Sequence, residues 1–464
     1  MKLEEHPTVK SFRQKTATID VIEQPRELES SWLRQVCLNA GADDVGFVEV
    51  DRPEIADQRK EILAALPQVK TLISIVLRMN REPIRMPARS VANVEFHHTT
   101  DEVNKVAHKI VQTLESLGIR ALNPAAGFPM EMERFARGKT WVVSHKPVAV
   151  AAGLGQMGIH RNVIHPKFGS FILLGTVLLD AALTEYNRPI VYNPCLECKL
   201  CVAACPTGAI SADGYFDFSA CYTHNYREFM GGFTDWVETI AESRSARAYR
   251  RKVSDPESAS MWQRLSFGAN YKAAYCMAVC PAGEDVIGPF LTDRPGFLQQ
   301  VVKPLQDKKE IVYVVPGCDA EGHVARRFPH KKAKRVGNGL RVQSIQGFLR
   351  GLKFTFQRGA AKGLSATFHF AFTGEEERKA TVVIRDQSLR VADSKGSLSC
   401  TSSRTVALGF ASCAKKPTLC GLCSGARFGF RDPPGCYLLS AAASRRSSRG
   451  TAVGLTRRGR SGVR

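Results

Sequence analysis

The chain has 464 residues, 44% of them hydrophobic, and a formal charge of +21. That length exceeds what one hydrophobic core serves and predicts about three domains. No stretch nears the roughly 20 apolar residues of a membrane span, and the charge does not by itself indicate nucleic acid, because twelve Lys and Arg against the single acid Asp432 place half of the excess between Thr401 and Arg464.

The N-terminal MKLEEHPTVKSFRQ is charged throughout, with neither an apolar signal core nor a twin arginine, which predicts a cytoplasmic protein. Residues 1–185 read as an α/β domain. Helical periodicity in SSWLRQVCLNAGA and DEVNKVAHKIVQTLESLG alternates with strand-like runs in DDVGFVEV, TLISIVL and GSFILLGTVLLD. Cys37, in the first helix, reads as a small buried hydrophobe. In AAGLGQMG, the glycines Gly153, Gly155 and Gly158 permit a tight turn and close backbone approach to a ligand. No acidic residue is placed to read a ribose, which disfavours a nicotinamide site.

Residues 186–300 carry the most specific signal. CLECKLCVAACP, from Cys195 to Pro206, spaces four cysteines by three, three and four positions before a proline, the pattern of an iron–sulfur ligand run whose fourth cysteine serves a neighbouring cluster. A zinc knuckle pairs two CxxC units and has no use for CxxxCP. The required partner run is partial: YCMAVCPAG supplies Cys276 and Cys280, but Asn270 and Ala273 stand where its first two cysteines belong. Cys221, in FSACYTHN, substitutes for one of them. The crossed pattern predicts one [4Fe-4S] cluster on Cys195, Cys198, Cys201 and Cys280, and a second on Cys205, Cys221 and Cys276. His224, Cys318, a three-iron cluster and a non-protein ligand are the open choices for the fourth corner of the second.

Residues 301–339, with the run RRFPHKKAKR, read as a basic linker that could alternatively grip phosphates. Residues 340–397 begin with an amphipathic helix, IQGFLRGLKFTF, and continue with the alternating runs SATFHFAFTG, EEERKATVVIRD and QSLRVADS, which predict antiparallel strands. Residues 398–464 are rich in Ser, Arg, Gly and Cys without periodicity and are expected to be disordered or frame-shifted. Their Cys400, Cys413, Cys420, Cys423 and Cys436 include a single CxxC, so a zinc module is the competing reading.

AAGLGQMG, HPKFGSFILLGTVL, CLECKLCVAACPTGAI and YCMAVCP, in that order over about residues 30–295, resemble the corrinoid iron–sulfur reductases, namely epoxyqueuosine reductases and reductive dehalogenases. The resemblance implies a nitroreductase-like corrinoid-binding domain followed by a ferredoxin-like domain with two [4Fe-4S] clusters. It also implies cobalamin, an external electron donor of the ferredoxin or flavodoxin type, and a small-molecule or tRNA substrate. Gly153, Leu154, Gly155, Gly158, Pro166, Phe168, Gly169 and Ser170 are the positions it places at the corrinoid. The chain departs from the family twice: the acid of an Asp-Ser-x-Pro segment falls on Lys139, and a cluster cysteine falls on Ala273. Cleaving a carbon–oxygen or carbon–halogen bond reductively needs a proton source, for which Lys139, His145 and His160 are the nearest candidates. Residues 340–397 resemble the start of a sterol-carrier-protein-2 domain, which implies a lipid ligand. The leading expectation is a reductase performing reductive cleavage. The alternatives are a ferredoxin-like electron carrier without corrinoid, and a lipid-binding protein with an accessory iron–sulfur domain.

Overall fold

The computed structural model describes residues 2–16, 27–132, 141–340, 344–372 and 378–393. Lys139 and the basic tail from Leu398 onward, with its cysteines, lie outside the described residues.

In the N-terminal part, helix α1 (Ser30–Ala40) leads into strands β1 (Asp44–Glu49) and β2 (Thr71–Arg78), followed by the long helix α2 (Arg89–Ser116). The short strand β3 (Ala121–Leu122), helix α3 (His145–Ala151) and strand β4 (Ile172–Leu179) follow. The four strands form one antiparallel sheet in the order β1-β2-β4-β3, with Phe47 opposite Ile73 and Ile73 opposite Val177. Alternate residues of β2 serve opposite faces. Ile73, Ile75 and Leu77 pack with Leu33 and Cys37 of α1 and Val103 and Ile110 of α2. Leu72 and Val76 pack with Val148, Ala149 and Phe168 on the other face. Because both faces are covered, TLISIVL is apolar almost throughout instead of alternating. Each fully buried Leu or Ile contributes roughly 1.5–3 kcal/mol. Cys37 is buried as expected, and burial pushes its thiol up to about 12.

The cysteine-bearing part is built mainly from short helices: α4 (Leu200–Ala204), α5 (Phe218–Asn225), α6 (Asp255–Phe267) and α7 (Tyr275–Ala278). Its core does not stop at residue 300. Leu200, Cys201, Tyr275 and Val279 share one apolar cluster with Val302, Leu305, Val312, Val314 and Val324. The segment expected as a basic linker is instead strand β5 (Ile311–Val314), helix α8 (Asp319–Arg327) and strand β6 (Lys332–Arg335), with β5 and β6 paired in parallel.

Several charges that made this segment look solvated are used internally. Lys331, 4% exposed, reaches Glu310 Oε1 at 2.7 Å and the Leu305 and Lys308 carbonyls. Lys334 Nζ lies 2.6 Å from both oxygens of Glu257 on α6, and Arg335 Nε is 2.6 Å from Glu321. A grip for phosphates is not built from these three side chains.

Helix α9 (Ile345–Thr355) and strands β7 (Ala366–Phe372), β8 (Arg378–Arg385) and β9 (Ser388–Asp393) complete the described chain, the strands forming an antiparallel sheet in sequence order. Leu349 packs with Phe372 and Ala380, while Phe356, Phe368, Val382 and Ile384 close a second small core. The two-residue turn Asp386-Gln387 has φ of 49° and 52°, the pair of positive angles that matches the twist of a tight hairpin. This part is tied to the cysteine-bearing part by Arg358 to Asp213 at 2.8 Å and by Phe354 against Phe218. Among the described residues no helix is long and apolar enough to cross a membrane.

Candidate functional site

The run that opens at Cys195 turns sharply because Glu197 and Lys199 both take left-handed backbone angles, φ 53° and 52°, before α4 begins. That turn brings Cys195, Cys198 and Cys201 to one small cavity, partly open to solvent. Cys280, from the far end of the second run, completes its sulfur lining, beside Ile159, His160 and Ile164. These are the four cysteines that the crossed pattern groups. Burial pushes the Cys201 thiol well up, and Cys276, Cys280, Cys198 and Cys195 push it further. Thiols gathered this closely oppose one another's ionisation, so the set becomes stable as thiolates only with positive charge in its midst. An iron–sulfur core would supply that charge.

The other three cysteines also converge. Cys205 follows α4, Cys221 lies on α5 and Cys276 on α7. Burial first, then Cys205 and Cys276, raises the Cys221 thiol, and Cys276 is pushed up to about 12 by burial and Cys205. Lys146 acts on both in the opposite sense. Its Nζ donates to Arg161 O and Asn162 Oδ1, both at 2.8 Å, and Asn162 Nδ2 donates to Cys276 Sγ at 3.9 Å. Sequence reasoning missed Lys146, because a single lysine in the first turn of a short helix carries no spacing signature. Among the described residues no three potential donors are grouped for one bare metal ion; a polynuclear core spaces its thiolates more widely than a single ion does.

Of the candidates for a fourth corner, His224 is engaged at one ring nitrogen only, its Nε2 being buried without a partner. His224 Nδ1 accepts the Tyr313 N–H at 3.3 Å, and burial holds its ring down at about 4. Cys318 stands at the N-terminus of α8, where burial and Asp217 raise its thiol. Ala273, at the position of the missing cysteine, donates its N–H to Asn225 Oδ1 at 2.8 Å.

The glycines among the positions carried over for a corrinoid lie close to the chain's own atoms. A Cβ on Gly153 would meet the Arg188 carbonyl, and one on Gly155 the Ile164 carbonyl, so their close approaches are to the chain's own backbone. A Cβ on Gly158 would meet Ile164 Cδ1 at 2.7 Å and the His160 ring. Leu154 and Phe168 are buried in the core behind the sheet, Phe168 stacked on His165, and Pro166 is exposed. Ser170, fully buried, donates to the Met277 carbonyl at 3.2 Å. At Gly153, Gly155 and Gly158 the space beside the α-carbon is thus filled by the chain's own atoms. The PKFGS loop docks instead onto the turn after Cys280: Glu284 N–H donates to Pro166 O at 2.9 Å and Asp285 N–H to Lys167 O at 3.0 Å.

Of the three proton-donor candidates, His145 has both ring nitrogens engaged, Nδ1 with Thr176 Oγ1 at 2.8 Å and Nε2 with Ala125 O at 3.1 Å, and burial lowers its pKa. His160, held at about 4 by burial, lines the four-cysteine cavity. A histidine neutral at ordinary pH is a poor acid.

No family profile matches the chain. It is 30% identical over 185 residues to the epoxyqueuosine reductase of Gloeobacter violaceus, covering 40% of this chain and 54% of that protein. With the epoxyqueuosine reductase of Vibrio cholerae it shares 30% over 131 residues, 28% of this chain and 31% of that one. It therefore spans about half the length, or less, of these curated relatives. Among solved structures, epoxyqueuosine reductase from Bacillus subtilis aligns with a TM-score of 0.34 at 15% identity, over 65% of this chain and 98% of that chain. The resemblance legible in the glycine and cysteine motifs thus holds against curated sequences: the chain is similar to the epoxyqueuosine reductases.

Proposed function

We propose that the protein is an iron–sulfur oxidoreductase that reductively cleaves a carbon–oxygen bond of epoxide type. The observation that carries the reading is the gathering of Cys280 with Cys195, Cys198 and Cys201 around one cavity. Those four would hold a [4Fe-4S] cluster, and Cys205, Cys221 and Cys276 a second one nearby. Reducing an epoxide to an alkene and water consumes two electrons and two protons, and two clusters would supply the electrons singly. The chain's own contribution is to hold the sulfurs: Ile159 N–H donates to Cys195 Sγ at 3.4 Å, Asn162 to Cys276, and Lys146 offsets charge at the trio. The nine described cysteines are all unpaired, which suits the reducing cytoplasm.

Cobalamin is the further cofactor that the relatives' family implies, and it would supply a strongly reducing metal centre. The glycines of the loops carried over for it pack against the chain's own backbone and side chains, and no step is routed through cobalamin. The relatives' names point to an epoxyqueuosine substrate, and the departures at Lys139 and Ala273 favour a different molecule carrying the same strained bond.

The test is anaerobic turnover of the reconstituted full chain with reduced viologen. Addition of an epoxyqueuosine-bearing RNA stem loop or a small epoxide should draw two viologen oxidations per molecule reduced. Iron-loaded protein that oxidises no viologen with any epoxide offered would overturn the reading.

A further inference from the structure

One buried polar atom without a partner is Nε2 of His160, a side chain only 4% exposed. The residue belongs to the lining of the four-cysteine cavity. Its other ring nitrogen is committed: Nδ1 accepts the backbone N–H of Asn162 at 3.1 Å. A nitrogen that accepts carries no hydrogen, so in the neutral ring the hydrogen sits on Nε2. A buried N–H left unpaired is costly and calls for an acceptor.

The neighbouring chain is arranged around this ring. At Gly158 a Cβ would come within 3.0 Å of His160 Cε1 and 3.2 Å of Nε2, so the bare α-carbon is what lets the imidazole sit where it does. Between them, Ile159 already donates its N–H to Cys195 Sγ. The tripeptide Gly158-Ile159-His160 therefore brings one made and one unmade N–H donor to a cavity lined by four sulfurs, whose other polar side chains are Glu197, itself exposed, and Lys199. Sulfur is the acceptor class such a cavity would offer once loaded, either a cysteine thiolate or an inorganic sulfide.

We propose that His160 Nε2–H donates a hydrogen bond to sulfur of the cluster held by Cys195, Cys198, Cys201 and Cys280, and thereby raises that cluster's reduction potential. The inference rests on the cluster reading above. Reduction adds negative charge to the core, and an N–H aimed at its sulfur stabilises that charge, so the reduced form gains relative to the oxidised one. His160 is then a positioning residue for the electron, not the source of the substrate's proton.

The experiment is potentiometric titration of the reconstituted full chain, followed by electron paramagnetic resonance. His160→Leu, which has no donor, should shift the midpoint of one of the two clusters to more negative potential at unchanged iron content. His160→Gln, which restores an N–H, should recover part of the shift. Gly158→Ala displaces the ring while keeping it, and should shift the same cluster in the same direction. This variant decides the matter if His160→Leu fails to hold iron. Unmoved potentials in iron-replete His160→Leu, or in Gly158→Ala when the former is unusable, would overturn the inference while leaving the clusters in place. A wild-type protein that takes up no cluster would overturn the parent reading, and this one with it.

Discussion

Gly169 and Gly283 meet backbone to backbone: a Cβ on Gly283 would strike the N and Cα of Gly169, and a Cβ on Gly169 would strike the Ala282 carbonyl. Both residues take positive φ, 63° and 111°. This contact seats the PKFGS loop of the N-terminal part against the turn that follows Cys280, and so fixes the one sulfur that the four-cysteine cavity borrows from far along the chain.

Gly169→Ala should therefore act on both stability and metal content. The left-handed angle alone costs roughly 1–2 kcal/mol in a residue with a side chain, and the overlap with Ala282 adds to it. Thermal unfolding should show a loss of about 2 kcal/mol or more, and the iron retained after reconstitution should fall. An Ala variant with wild-type stability and iron would show that the clasp is not needed.

Ala273→Cys addresses the incomplete trio. A thiol three residues before Cys276 repeats the spacing of Cys198 and Cys201 and supplies the missing corner. The variant should bind more iron per chain than the wild type, reaching about eight, and the second cluster should survive air for longer. Equal iron content in the two proteins would mean that another group already fills the corner.

Lys146→Met removes the cation that faces Cys221 and Cys276. A nearby positive charge favours the more negative, reduced form of a cluster. Its loss should move the midpoint potential of the trio's cluster in the negative direction, with the other cluster moving less. A positive shift would contradict the assignment of Lys146 to that site.

Asp217 gives a pH test. Burial, reinforced by Asp319, raises its carboxyl from the ordinary 3.8 to about 6, against the N–H groups of Ala220 and Ser219 that it caps. The folded protein thus binds this proton more tightly than the unfolded chain. The contribution is fully present below about 4 and is lost as the pH rises through 6, an effect on the order of 3 kcal/mol. Asp217→Asn keeps an oxygen for the Ala220 N–H and removes the titration. Denaturant unfolding should find it more stable than the wild type at pH 7 and flatter between pH 4 and 6. An unchanged slope across that range would assign the pH dependence elsewhere.

The parts of the fold set by local pattern were legible in the chain itself. Strand β2 announced itself as TLISIVL, and β8 and β9 as alternating runs around Asp386-Gln387, since burial of one or both faces leaves its period in the residues. Cysteine spacing likewise grouped Cys195, Cys198, Cys201 and Cys280, because ligand runs are local even when the cluster is not.

Three things were not legible, each for a physical reason. Residues 311–335 carry so many charges that they read as solvated, yet Lys331 and Lys334 are neutralised by Glu310 and Glu257, and the second of these carboxylates comes from a distant helix. Gly153 and Gly155 look the same in sequence whether the atom approaching them belongs to a ligand or, as here, to the carbonyls of Arg188 and Ile164. Lys146 acquires its place beside Cys276 only through tertiary packing.

The most direct test is to count iron and record the reduced paramagnetic spectrum of anaerobically reconstituted wild-type, Cys280→Ser and Cys205→Ser proteins. Two interacting centres should appear in the wild type, with Cys280→Ser losing one and Cys205→Ser the other. Protein that binds no iron, or a Cys280→Ser variant with both signals intact, would contradict the account.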